Sequence, residues 1–218
     1  MSLVTSLLIG TVRALVGASA RWDGCAPSRT QRIYVANHTS HLDALVIWAA
    51  LPPDLRERTH PVAARDYWDR GRLRPWLARR GFNAVLIDRT PRAHDPNPLA
   101  EALDVLARGH SLILFPEGTR GTDPVPGPFK GGLYRLAEAA PEAELVPVFL
   151  DNLHRSLPRG GHVPLPILCT VHIGVPFARL DGEPRPDFLA RARNAVIATG
   201  GLPSLPDVPD PTDDLTLP

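Results

Sequence analysis

A single α/β domain, with a mixed, largely parallel central sheet flanked by helices, is the fold this sequence predicts. Three observations point to it. Short apolar, β-branched runs alternate with helical patterns through the middle of the chain. Polar loops follow two of those runs, where an α/β sheet builds its sites. The 218 residues allow one substantial core and would cramp a second domain. Strands interleaved with helices in this way put helices on the faces of the sheet.

The elements follow in order. Residues 2–20 are mostly apolar, with Arg13 the only charge, and Gly10 and Gly17 interrupt them. They are barely long enough to span a bilayer and lack the charged start and cleavage signal of a secretory peptide. On a helical wheel Leu7, Leu8, Ala14, Leu15 and Ala18 form an apolar stripe. Such a helix packs on the domain or lies at a membrane interface. Residues 21–200 then read as the folded domain. Ile33–Ala36 is a strand and Asp43–Leu51 a helix. Val62–Ala64 is a brief strand, and Tyr67–Arg79 a helix interrupted by Pro75. Ala84–Ile87 is a strand, followed by a helix over Leu99–Arg108 that Gly109 stops. Ser111–Phe115 is strongly strand-like, Gly131–Ala140 a helix and Glu144–Leu150 a strand. Cys169–Gly174 is the last strand and Asp187–Thr199 the closing helix. Residues 201–218 hold five prolines and four aspartates with no basic residue, an extended acidic tail.

Composition sets limits on partners. Lys and Arg total 24 against 23 Asp and Glu, so the overall charge calls for no nucleic acid. Lys130 is the sole lysine, and 25 prolines suggest many rigid loop corners. Cys25 and Cys169 are too few for a disulfide framework and fit reduced thiols in a cytoplasmic setting.

Two segments carry chemistry. The first is Asn37-His38-Thr39-Ser40-His41-Leu42-Asp43, between the strand Ile33–Ala36 and the helix that begins at Asp43. Residues five apart do not meet on a regular helix. His38 and Asp43 can touch only if His38 lies in the turn before the helix and Asp43 in its first turn. An imidazole so held by a carboxylate is a general base. Two other readings compete. Ser40 to Asp43 fits a reciprocal helix cap, and His38, His41 and Asp43 could ligate zinc or iron in a hydrolase.

The second is Phe115-Pro116-Glu117-Gly118-Thr119-Arg120, at a strand's carboxyl end. Gly118 lets the backbone approach a ligand, and Arg120 offers a planar fork for a phosphate. Glu117 could order that arginine or accept a hydrogen bond from a substrate hydroxyl. Pro116 and Gly118 equally suit a plain type I turn. Arg89 follows another strand and could clamp a headgroup or pair with Asp88 or Asp95. Lys130 opens the helix Gly131–Ala140, where an anion would meet an ammonium and a helix N-terminus. Residues 65–80 carry six arginines among Tyr67, Trp68 and Trp76, a mixture suited to an anionic bilayer surface or to single-stranded nucleic acid.

From Ile33 to Pro176 the chain resembles the PlsC-like glycerolipid acyltransferase family. Asn37, His38 and Asp43 match its first motif, Phe115–Arg120 its third, and Val146-Pro147-Val148 its fourth. The second, Gly-x-x-Phe-x-x-Arg, is matched at Arg89, with Asn83 in place of Gly and Leu86 in place of Phe. The resemblance implies acyl transfer from acyl-CoA or acyl-carrier protein to the hydroxyl of a lysophospholipid, chiefly 1-acyl-glycerol-3-phosphate. It implies catalysis by His38 and Asp43, and substrate binding by Arg89, Glu117, Gly118, Thr119, Arg120 and Lys130. No metal, other cofactor or covalent acyl-enzyme is implied, and no nucleic-acid partner. The expected place is the cytoplasmic side of a membrane, as a peripheral protein.

Overall fold

A computed structural model describes residues 3–17, 19–40, 42–69, 71–88, 97–123, 125–151 and 169–203. His41, Arg89, Asp95 and the tail from 204 onward lie outside them, as do Ala18 and the side chains of Leu8, Ala14 and Leu15. The described elements, in chain order, begin with α1 (Leu3–Val16), β1 (Ser19–Trp22), β2 (Arg32–Ala36), α2 (Asp43–Ala50) and α3 (Pro53–Arg56). Next come β3 (Thr59–Ala64), α4 (Arg65–Trp68), α5 (Leu73–Trp76), a π-helical turn over Leu77–Gly81 and β4 (Val85–Ile87). The chain closes with α6 (Ala100–Ala107), β5 (Ser111–Leu114), α7 (Gly132–Ala139), β6 (Glu144–Asp151), β7 (Thr170–Ile173) and α8 (Arg185–Thr199).

Seven strands form one sheet in the order β1-β7-β6-β2-β5-β3-β4. Every pairing is parallel except β6 with β7, so the expected mixed, mostly parallel sheet is what the structure shows. Helices cover both faces, which is why the central strands read as unbroken apolar runs. Along β2, Ile33 and Val35 pack with Phe188, Ala192 and Val196 of α8 on one face. Tyr34 and Ala36 pack with Val46, Ile47 and Trp48 of α2 on the other.

Several boundaries differ from the sequence reading. The first helix stops at Val16, and Ser19 and Ala20 already belong to β1, an edge strand with a half-exposed pattern. On α1 the packed face is Thr5, Ile9 and Val12, while Leu7, expected in the apolar stripe, is 71% exposed. Arg13 donates to the Ala49 carbonyl at the end of α2 and so fastens α1 to the domain. Among the described residues no helix is long and apolar enough to cross a membrane. The single helix expected over Tyr67–Arg79 is broken, because Gly71 adopts φ 72° and leaves the right-handed helical region.

β3 is longer than expected and carries Pro61 in its middle. Thr59, His60 and Pro61 pair with β5, whereas Val62, Ala63 and Ala64 pair with β4. Pro61 has no N–H to give either neighbour. Beyond it, β3 and β5 part.

A pair of imidazoles sits at the opposite end of the same strands. The His60 and His110 rings lie 5.2 Å apart, with Nε2 of His60 2.9 Å from Nδ1 of His110. His60 Nδ1 lies 2.9 Å from the Asn83 carbonyl and donates to it. That bond leaves His60 Nε2 as the acceptor and His110 Nδ1 as the donor. Burial holds both imidazoles below the usual histidine pKa, and the nearby arginine charge adds to it. The unfolded chain therefore takes up protons near the ordinary value of about 6.5 before the folded pair does. Stability contributed by the pair is present above that pH and is lost below it. The midpoint of thermal unfolding is expected to fall between about pH 7 and pH 5, and less steeply in His110→Asn, by calorimetry at each pH.

Candidate active site

The order of strands brings the two motifs together. β2 and β5 are neighbours, with Val35 opposite Leu114, so the loops after them leave the sheet side by side. Asn37 ties the first loop to a third strand. Its side-chain oxygen accepts the Leu150 N–H at 2.8 Å and its amide nitrogen donates to the Leu150 carbonyl at 3.4 Å.

His38 and Asp43 meet. His38 Nδ1 lies 2.7 Å from Asp43 Oδ2, and the same oxygen accepts the N–H groups of Thr39 at 2.7 Å and Ser40 at 2.8 Å. Only half of the expected reciprocal cap forms, since the Ser40 hydroxyl accepts the Leu42 N–H at 3.3 Å and not that of Asp43, while Asp43, fully buried, holds the turn in shape and faces the ring at once. An oxygen receiving two amide hydrogens is an acceptor, so His38 Nδ1 carries the proton and Nε2 the lone pair. Asp43 Oδ1 has no hydrogen-bond partner. The His38 ring is stacked on Phe115 at 4.4 Å, and its side chain is 18% exposed. The reading of a metal held by His38, His41 and Asp43 falls on His41, which lies outside the described residues. Among the described residues no group of three or more His, Cys, Asp or Glu could hold one.

The Phe115–Arg120 loop is a turn, as Pro116 and Gly118 suggest: the Gly118 N–H donates to the Phe115 carbonyl at 3.1 Å, and Gly118 has φ 69°. A β-carbon at Gly118 would come 3.2 Å from Cδ of Lys130, whose side chain lies along the glycine. Glu117 is 8% exposed. Its Oε1 accepts the His38 N–H at 2.8 Å and its Oε2 the Gly127 N–H at 2.9 Å. Burial pushes its carboxyl above the usual range, and the two amide donors oppose that rise. Asp88 pairs with Arg65, at 3.2 Å; Arg65 also reaches Glu101 at 2.6 Å. Arg65 is thus engaged in holding β3, β4 and α6 together.

A cavity of about 340 Å³ opens over the carboxyl ends of the strands. Its polar end is lined by His38, Gly118, Thr119 and Arg120. Its apolar walls come from the strands that part at Pro61: Val62 and Ala63 from β3, Leu114 from β5, with Ile87 and Trp68. The volume is that of a small-molecule site. Arg120 makes no hydrogen bond or ion pair among the described residues. Glu117 and Lys130 do not line the cavity. Tyr67 and Trp68, read from sequence as membrane-facing aromatics, line it instead. Sequence reasoning missed Phe115 as the platform for the His38 ring, and Gly121 and Gly127 as donors to the site; main-chain partners leave no signal in residue identity.

Residues 24–151, more than half of the chain, match the model of a protein family described as Acyltransferase. The chain belongs to that family. The 1-acyl-sn-glycerol-3-phosphate acyltransferase of Limnanthes douglasii is 30% identical over 166 residues, which cover 74% of this chain and 56% of that protein. The human 1-acyl-sn-glycerol-3-phosphate acyltransferase alpha is 31% identical over 129 residues, 58% of this chain and 42% of that one. This acyltransferase thus spans about half the length of these relatives. Its fold matches the crystal structure of the 1-acyl-sn-glycerophosphate (LPA) acyltransferase PlsC from Thermotoga maritima. The TM-score is 0.70 at 19% identity, covering 91% of this chain and 77% of the other.

Proposed function

We propose that this acyltransferase moves a fatty acyl group from acyl-CoA or acyl-carrier protein to the free hydroxyl of a lysophospholipid. The acceptor proposed is 1-acyl-glycerol-3-phosphate and the product phosphatidic acid. The observation that carries the reading is that His38, oriented by Asp43, lines the same cavity as the guanidinium of Arg120, which has no ion-pair partner among the described residues. His38 Nε2 removes the proton of the glycerol hydroxyl as its oxygen attacks the thioester carbonyl. The tetrahedral intermediate collapses, the C–S bond breaks, and the imidazolium returns its proton to the leaving thiolate. Arg120 takes the phosphate, and the apolar walls suit an acyl chain.

We place the protein at the cytoplasmic surface of a membrane. Among the described residues of its N-terminal half, Leu7 (71%) and Trp76 (46%) are the large exposed apolar ones, and Arg72, Arg74, Arg79 and Arg80 are exposed near Trp76 in sequence. That mixture fits an anionic headgroup layer. The deciding assay follows thiol release from acyl-CoA with and without lysophosphatidic acid. Release that depends on the acceptor is expected; release indifferent to it sinks the reading. In the same assay Arg120→Ala is expected to raise KM for the acceptor about 10- to 100-fold, the worth of a lost charge-assisted hydrogen bond. An unchanged KM would remove Arg120 from the phosphate site.

A further inference from the structure

We propose that Glu117 is a positioning residue for His38: it fixes the backbone from which the base projects and does not touch the substrate. The inference rests on the acyl-transfer reading above. Asp43 sets the rotation of the His38 ring, but a ring turned correctly on a displaced Cα still misses its proton. The position of that Cα is set from the neighbouring loop. Glu117 Oε1 accepts the His38 N–H at 2.8 Å, and the His38 carbonyl accepts the Gly121 N–H at 2.8 Å. The Phe115–Gly121 loop thus grips His38 on both its amide and its carbonyl, while Phe115 stacks on its ring at 4.4 Å.

The other carboxylate oxygen extends the grip. Glu117 Oε2 accepts the Gly127 N–H at 2.9 Å, joining the histidine turn to the chain that leads to Lys130. Both oxygens are therefore occupied by main-chain donors, and the residue is 8% exposed outside the cavity lining. A carboxylate is the side chain that can accept at both ends. Glutamine keeps the shape but presents an NH2 to one of the two N–H groups. Aspartate keeps the charge but is one methylene too short to span the same two amides.

The test compares Glu117→Gln and Glu117→Asp with the unmutated enzyme in the thiol-release assay. Glu117→Gln is expected to lower kcat about 10²-fold, the cost of a misplaced reacting group, with KM for the lysolipid changed less than about threefold. In a His38→Ala background the same substitution is expected to add less than about twofold, because the residue acts through His38. Glu117→Asp should recover little of the loss. A raised KM with kcat retained, or an undiminished extra loss in the His38→Ala background, overturns the proposal. Should the variants fail to fold, hydrogen exchange on the unmutated protein decides. The His38 amide is expected to exchange at least about 10²-fold more slowly than an unprotected amide, and fast exchange overturns the clamp. Absence of acyl transfer in the unmutated protein would instead overturn the function, and the exchange result would still judge Glu117.

Discussion

His38→Ala is expected to lower the rate of acyl transfer about 10²–10⁴-fold, the range supplied by a positioned general base. An alcohol is a weak nucleophile at neutral pH, so losing the acceptor of its proton strikes the chemical step directly. The effect should fall on kcat, since the phosphate contact proposed for Arg120 is untouched. The fold should survive: the ring lies at the cavity wall, stacked on Phe115. Single-turnover kinetics with saturating lysolipid would separate the steps. Full activity in His38→Ala would leave the dyad without a catalytic role.

Asp43→Ala is expected to damage stability and catalysis together. The carboxylate removed is the acceptor for the N–H groups of Thr39 and Ser40 and for the His38 ring. Both residues are buried, and each stranded amide costs about 1–3 kcal/mol, so a loss of about 2–6 kcal/mol is expected. Asp43→Asn separates the two roles. Its amide oxygen can occupy the Oδ2 position and keep the turn, but the negative charge facing the His38 ring is gone. Denaturant unfolding should then find Asn milder than Ala, while both lose activity. Equal stability of the two variants would mean that the turn does not rest on this side chain.

Much of this was legible in the sequence. The two motifs follow apolar strands, and the rule that α/β sites lie beyond strand carboxyl ends placed them correctly in one cavity. The spacing of His38 and Asp43 required a turn followed by a helix start, and the structure has that geometry. Asn83, which departs from the family's usual glycine, has φ 53°. It stands in the left-handed region, where asparagine is the best-tolerated side chain after glycine, so the departure keeps the backbone. What could not be read depends on the main chain. The main-chain partners of Glu117 are the amides of residues 79 and 10 positions away, which residue identity does not reveal. Leu7 belonged to a stripe suited either to packing or to a membrane interface, and only the positions of α2 and the π-helical turn select Thr5, Ile9 and Val12 as the packed face. β1 escaped notice because Ser19-Ala20-Arg21-Trp22 is short, half-exposed and barely apolar.

The proline in β3 has a bearing on how ligands enter. A gap between parallel strands would ordinarily tend to zip closed by cross-strand hydrogen bonding. Here Pro61 stands where the pairing of β3 with β5 ends, and it has no N–H to donate. The slot is therefore held ajar by covalent structure, and a molecule entering it breaks no backbone ladder.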